Sequence, residues 1–127
     1  MGHIISKFDI SDYPFHNIVA DLFQVEDLSV VHLLDLELTK QKLLVQENET
    51  ETFYKKLNEG WSELTDTYEN FITHELSKQI KGPFVYQKTP TFRSHVPNQT
   101  AVSKWHFDSD PNHGHPDWEI NIQIPLT

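Results

Sequence analysis

The hydrophobic pattern changes period once, at Gly82-Pro83, and that change limits the folds open to the chain. Before it, Phe53, Leu57, Trp61, Leu64, Tyr68, Phe71, Ile72, Leu76 and Ile80 recur mostly at steps of three and four, which gathers them on one side of an α-helix. The spacing predicts an amphipathic helix over residues 50–80. Asn48 or Thr50 is its expected cap, and Gly82-Pro83 its stop, because glycine accepts the left-handed closing conformation and proline cannot continue the ladder. Gly60 falls inside, at about 1 kcal/mol relative to alanine, and is expected to mark a bend or a close contact. A stripe of this kind is read as core packing, with Lys55, Glu59, Glu63, Asp66 and Lys78 facing water.

Beyond Pro83 the alternation has period two. Residues 84–86, 91–96, 101–108 and 119–124 are strand candidates, separated by Pro90, by Pro97-Asn98 and by a long turn over residues 108–117. Upstream the pattern is less regular: residues 17–23 fit a short helix behind Pro14, and residues 34–39 alternate like a strand. The expectation is a single domain over residues 1–127, mainly helical over 1–81 and strand-forming over 82–127.

Composition narrows the chemistry. Apolar residues make up 37% and aromatics 12%, enough for a folded, aromatic-rich core. The formal charge is −9, and fifteen of the nineteen acids lie in residues 1–81. With Arg93 as the only arginine and no basic cluster, a nucleic-acid partner is not expected. The absence of cysteine excludes disulfides, zinc–thiolate sites and thiol catalysis. No apolar run approaches a membrane span and no leader pattern precedes the chain, so a cytoplasmic protein with no membrane partner is expected. Four glycines form no phosphate loop or dinucleotide fingerprint, and no nucleophile elbow is present. Kinase and hydrolase readings fall away.

The strongest chemical signal is Trp105-His106-Phe107-Asp108. On a strand, His106 and Asp108 share one face, so an imidazole nitrogen and a carboxylate oxygen can meet one metal ion; a facial triad for non-heme Fe(II) needs one further histidine. His113 and His115, in the turn that follows, are alternative local metal ligands. Thr91, Arg93 and His95 share a face of their own segment. Arg93 is the best available fork for a carboxylate, against the plainer reading of a structural ion pair; His95 and Gln87 are weaker pocket candidates. Glu119, Asn121 and Gln123 share a face opposite Ile120, Ile122 and Ile124. Either that polar row is solvated or it lines a pocket, with Asn121 binding a carboxylate or a polar group of a substrate.

Three separated runs then agree in order with a known family. Tyr-Gln-Lys-Thr-Pro-Thr-Phe-Arg-Ser-His-Val-Pro from Tyr86, Ala-Val-Ser-Lys-Trp-His-Phe-Asp-Ser-Asp from Ala101 and Glu-Ile-Asn-Ile-Gln-Ile-Pro-Leu-Thr from Glu119 resemble 2-oxoglutarate/Fe(II)-dependent oxygenases of the phytanoyl-CoA hydroxylase-like group, which includes members assigned to streptomycin biosynthesis. The resemblance is close over about the last third of the chain and looser through the preceding helix. It implies an α+β fold, with the long helix packed on the first strands of a cupin-like double-stranded β-helix, or jelly roll. It also implies Fe(II) on His106 and Asp108, 2-oxoglutarate as cosubstrate, and hydroxylation of a small metabolite. The distal histidine and the arginine or lysine that such enzymes place further along have no counterpart here, so a chain truncated relative to the family is expected, with an incomplete sheet. The alternative is a non-catalytic protein that forms homodimers or larger oligomers through an exposed sheet edge.

Overall fold

The computed structural model describes residues 3–33, 45–95, 110–112, 114–116 and 118–127. Helix α1, Phe15–Phe23, starts directly behind Pro14, a residue tolerated at helix starts because its missing N–H needs no partner there. It closes on Gln24, which takes the left-handed conformation at φ 56°, while the Val25 N–H reaches back 3.1 Å to the Ala20 carbonyl. Ile18 and Val19 are buried on its inner face. A 3-10 helix, Leu28–Leu33, follows, and its Val31 is buried. The strand expected over residues 34–39 lies outside the described residues.

The predicted single helix is two. Helix α2, Val45–Glu59, begins upstream of Asn48 and Thr50, which therefore lie inside it and do not cap it. Gly60 ends it at φ 98°, a conformation that L side chains rarely adopt, and its N–H closes on the Leu57 carbonyl at 3.2 Å. Helix α3, Ser62–Asn70, restarts after Trp61 and runs into a π-helical stretch, Phe71–Leu76, and a last turn α4, Ser77–Gln79. The helical run stops when Ile80 turns extended, two residues before Gly82. The stripe spacing persists across Gly60 because Leu57 and Trp61 are four apart, so periodicity alone does not reveal the break.

The core is built where α1 meets the two halves of that run. Phe15, Ile18, Val19, Phe53, Trp61, Leu64, Phe71 and Ile72 form one buried cluster. Phe71 is its aromatic centre, in edge contact with Phe8 at 5.1 Å, Tyr13 at 5.3 Å and Phe15 at 5.6 Å. Such pairs contribute about 0.5–1.5 kcal/mol each beyond burial, so these three tie the N-terminal segment to the π-helical stretch.

The expected α+β jelly roll is not what the chain builds. Among the described residues there is no β-strand and no sheet, so the fold is helical with irregular segments laid on it. Of the four strand candidates, residues 84–86, 91–95 and 119–124 carry no strand ladder, while 96 and 101–108 lie outside the described residues. The reason is that alternation sets side-chain direction, whereas a ladder needs a second backbone to pair with. Side chains from the helices make those contacts instead. Tyr68 donates its hydroxyl to the Gln87 carbonyl at 2.5 Å, and the Phe92 N–H donates to the Tyr54 hydroxyl at 2.9 Å. Phe92 also stacks on Phe53 at 4.4 Å with the rings 8° apart. The alternation over 91–95 does survive as exposure: Phe92 and Ser94 turn toward the helices, and Thr91, Arg93 and His95 toward solvent.

Candidate functional site

Between α3 with its π-helical continuation and the irregular segments lies an open hollow of about 990 Å³. It is lined by Leu64, Tyr68 and Phe71 from the helical run, by Phe84, Tyr86 and Phe92, and by Trp118, Asn121 and Ile124 among others of the last segment. Most of the described lining is apolar or aromatic, and the polar groups are few: Gln87, Thr91, Glu119 and Asn121. A large apolar hollow with a few polar groups is the usual form of a small-molecule site. Burial, and then the neighbouring Tyr86 phenol, push the Tyr68 hydroxyl above the ordinary tyrosine range. It is thus held as a neutral donor to Gln87.

The last segment only partly follows the sequence pattern. Glu119 and Asn121 line the hollow, Gln123 does not, and Ile120 and Ile122 of the opposite row line it as well. The isoleucine face is not packed away throughout: Ile120 is 69% exposed and Ile122 is also exposed, and contact with the core begins at Ile124 and Leu126. Trp118 stands at the rim, 74% exposed.

His106, Asp108 and His113 lie outside the described residues. His115 is described: its Nδ1 sits 2.8 and 2.9 Å from the two carboxylate oxygens of Glu119. A carboxylate on Nδ1 fixes ring orientation, the arrangement that commonly backs a metal-bound histidine. Among the described residues no three histidine or acidic side chains converge as a metal site. Without thiolates, the metal donors that the side chains can offer are imidazole and carboxylate. Arg93 is exposed beside the hollow, next to the lining residues Thr91 and Phe92, and is not itself part of the described lining.

The structure adds a residue that the sequence pattern alone did not single out. Glu49 is 5% exposed on α2, one turn before Phe53, and accepts a hydrogen bond from the Ser94 hydroxyl. Glu49, Phe53 and Leu57 occupy successive i, i+4 positions, so an acid standing in an apolar row was the available signal. Buried carboxylates are uncommon without a specific partner.

No family model and no solved structure matches the chain. A curated relative does: the chain is 25% identical over 121 residues to the streptomycin biosynthesis protein StrG of Streptomyces griseus. The match takes in 95% of this chain and 57% of StrG, so the chain spans little more than half the length of that relative. No helix among the described residues is long and apolar enough to cross a membrane.

Proposed function

We propose that the chain belongs to a biosynthetic enzyme acting on a small metabolite, and that the reaction is an Fe(II)- and 2-oxoglutarate-dependent hydroxylation. One observation carries this reading: a His-x-Asp pair, His106 and Asp108, in a chain that aligns over nearly its whole length with a protein of antibiotic biosynthesis. His106 and Asp108 would supply two of the iron ligands, and His113 or His115 are the alternative local donors. Bound iron would couple oxidative decarboxylation of 2-oxoglutarate to oxidation of a substrate C–H bond. The chain's own part is binding and orientation. Arg93 offers a planar fork to a carboxylate of the cosubstrate, Asn121 offers its amide to a polar group in the hollow, and the aromatic walls exclude water from an apolar substrate body.

Succinate release tests the reaction class. The chain supplied with Fe(II), oxygen and 2-oxoglutarate should release succinate, and His106→Ala and Asp108→Ala should abolish it. Equal succinate from all three proteins would remove the assignment of these two residues. A second reading, a non-catalytic chain that pairs with its own copy, is favoured by the exposed apolar side chains Val85, Trp118 and Ile120. It predicts a dimer in sedimentation at micromolar concentration; a monomer there rules it out.

A further inference from the structure

The irregular segment that carries Arg93 is held by side chains of the helices on its inner face, one of which is a carboxylate. Tyr68 holds Gln87, Tyr54 holds the Phe92 amide, Phe53 stacks on Phe92, and Glu49 accepts from Ser94. Gln87 in turn donates to the Thr91 hydroxyl at 3.0 Å. With Phe92 and Ser94 fastened inward, the residues between and beside them, Thr91, Arg93 and His95, are turned outward as a set. Three of these fastenings are neutral. The fourth fastening to a helix is the buried carboxylate of Glu49.

We propose that Glu49 is a positioning residue: its buried carboxylate, bonded to Ser94, sets the direction of Arg93 so that the guanidinium can grip a small dicarboxylate. The proposal rests on the reading of Arg93 as the carboxylate fork. Arginine has several rotatable bonds and delivers bidentate recognition only where its backbone is fixed, and no sheet ladder fixes it among the described residues. The Glu49–Ser94 contact lies one residue from Arg93 and joins its segment to α2, the nearest regular element to which it is bonded.

A merely structural role and a positioning role move different quantities. Glu49→Leu removes a buried charge but leaves the Ser94 hydroxyl without this acceptor, so Tm is recorded beside affinity, and a fall in affinity that does not track the change in Tm across the variants is the mark of positioning. The experiment titrates 2-oxoglutarate, without metal, into the wild-type chain and its variants by isothermal calorimetry and by backbone NMR shifts. Arg93→Gln should weaken binding about tenfold or more, as loss of a charge-assisted bond does. Glu49→Leu and Ser94→Ala should each weaken it about three- to tenfold, the range for a single hydrogen bond, and Glu49→Gln, which keeps an acceptor for Ser94, should stay close to wild type. Glu49→Leu added to Arg93→Gln should cost nothing further, because Glu49 acts through Arg93.

If Arg93→Gln weakens binding while Glu49→Leu and Ser94→Ala do not, the positioning role is overturned and the arginine reading stands. The positioning role is likewise overturned if Glu49→Leu weakens binding equally with and without Arg93. Unchanged binding in Arg93→Gln, or no saturable binding to the wild type, overturns both. Ser94→Ala decides the matter should Glu49→Leu fail to fold.

Discussion

Among the contacts that dock residues 84–95 onto α2, one ring pair has an energy that can be isolated. Phe53 is 3% exposed and stacks on half-buried Phe92 at 4.4 Å, and Phe23 is tilted against Phe92 at 6.3 Å. Replacing either ring by leucine keeps much of the buried volume and removes the stack. Phe92→Leu should therefore destabilise by about 1–2 kcal/mol, and Phe53→Leu, at the better-buried position, by somewhat more. The double variant should fall short of the sum by about 0.5–1.5 kcal/mol, the coupling expected of an aromatic pair in contact. Urea denaturation followed by tryptophan fluorescence is a suitable assay, because Trp61 lies 5.3 Å from Phe53 and senses the same cluster. The comparison holds while the denaturant slope is unchanged among the four proteins. Additivity within about 0.3 kcal/mol would show that the two rings do not touch, and that the segment bearing Arg93 is not seated on α2.

Three further perturbations test other parts of the account. Gly60→Ala should destabilise by about 1–2 kcal/mol, since φ 98° strains any L side chain although the space around the site is open; a neutral effect in thermal melting would mean that α2 and α3 run as one helix. Tyr68 keeps its proton to higher pH in the folded chain than in the unfolded one, so stability should decline as pH rises above about 10, the unfolded tyrosine value, and Tyr68→Phe should flatten that decline in alkaline urea titrations. Asp27 behaves oppositely. Hydrogen bonds from the Ser29 hydroxyl and N–H hold its carboxyl below the ordinary aspartate value, so its contribution is present above about pH 4 and is lost as pH falls through the folded value; NMR titration of Asp27 should give a lower midpoint than in Ser29→Ala.

The helical half was legible where one face had to be buried. Leu64, Phe71 and Ile72 lie in the core because a stripe at helical spacing has nowhere else to go. What periodicity could not carry was the conformation of a single residue: Gly60 breaks the helix through φ, while the stripe continues in phase on both sides. The other half misled for a related reason. Alternation at Phe92, Arg93 and Ser94 states which way side chains point, and they do point so, but whether a backbone pairs depends on a partner that no local pattern contains. Tyr54 and Tyr68 supply that partner from the helices; Tyr68 read only as a stripe residue, and Tyr54 lies outside the stripe. At the site, Asn121 lines the hollow, but Ile120 and Ile122 of the opposite row line it too, so alternation does not select the residues that face it; Glu49 left a signal as an acid in the row of Phe53 and Leu57. The Glu119 carboxylate on His115 depends on a turn geometry that the sequence leaves open.

Everything functional returns to whether His106 and Asp108 hold one cation between them. Anaerobic equilibrium titration of Fe(II) into the wild-type chain, His106→Ala, Asp108→Ala and His115→Ala measures this directly. The account predicts saturable one-to-one binding that weakens by at least about tenfold when either member of the pair is removed, since each lost ligand is a large fraction of a small coordination set. Wild-type affinity in both His106→Ala and Asp108→Ala, whatever His115→Ala does, would contradict it.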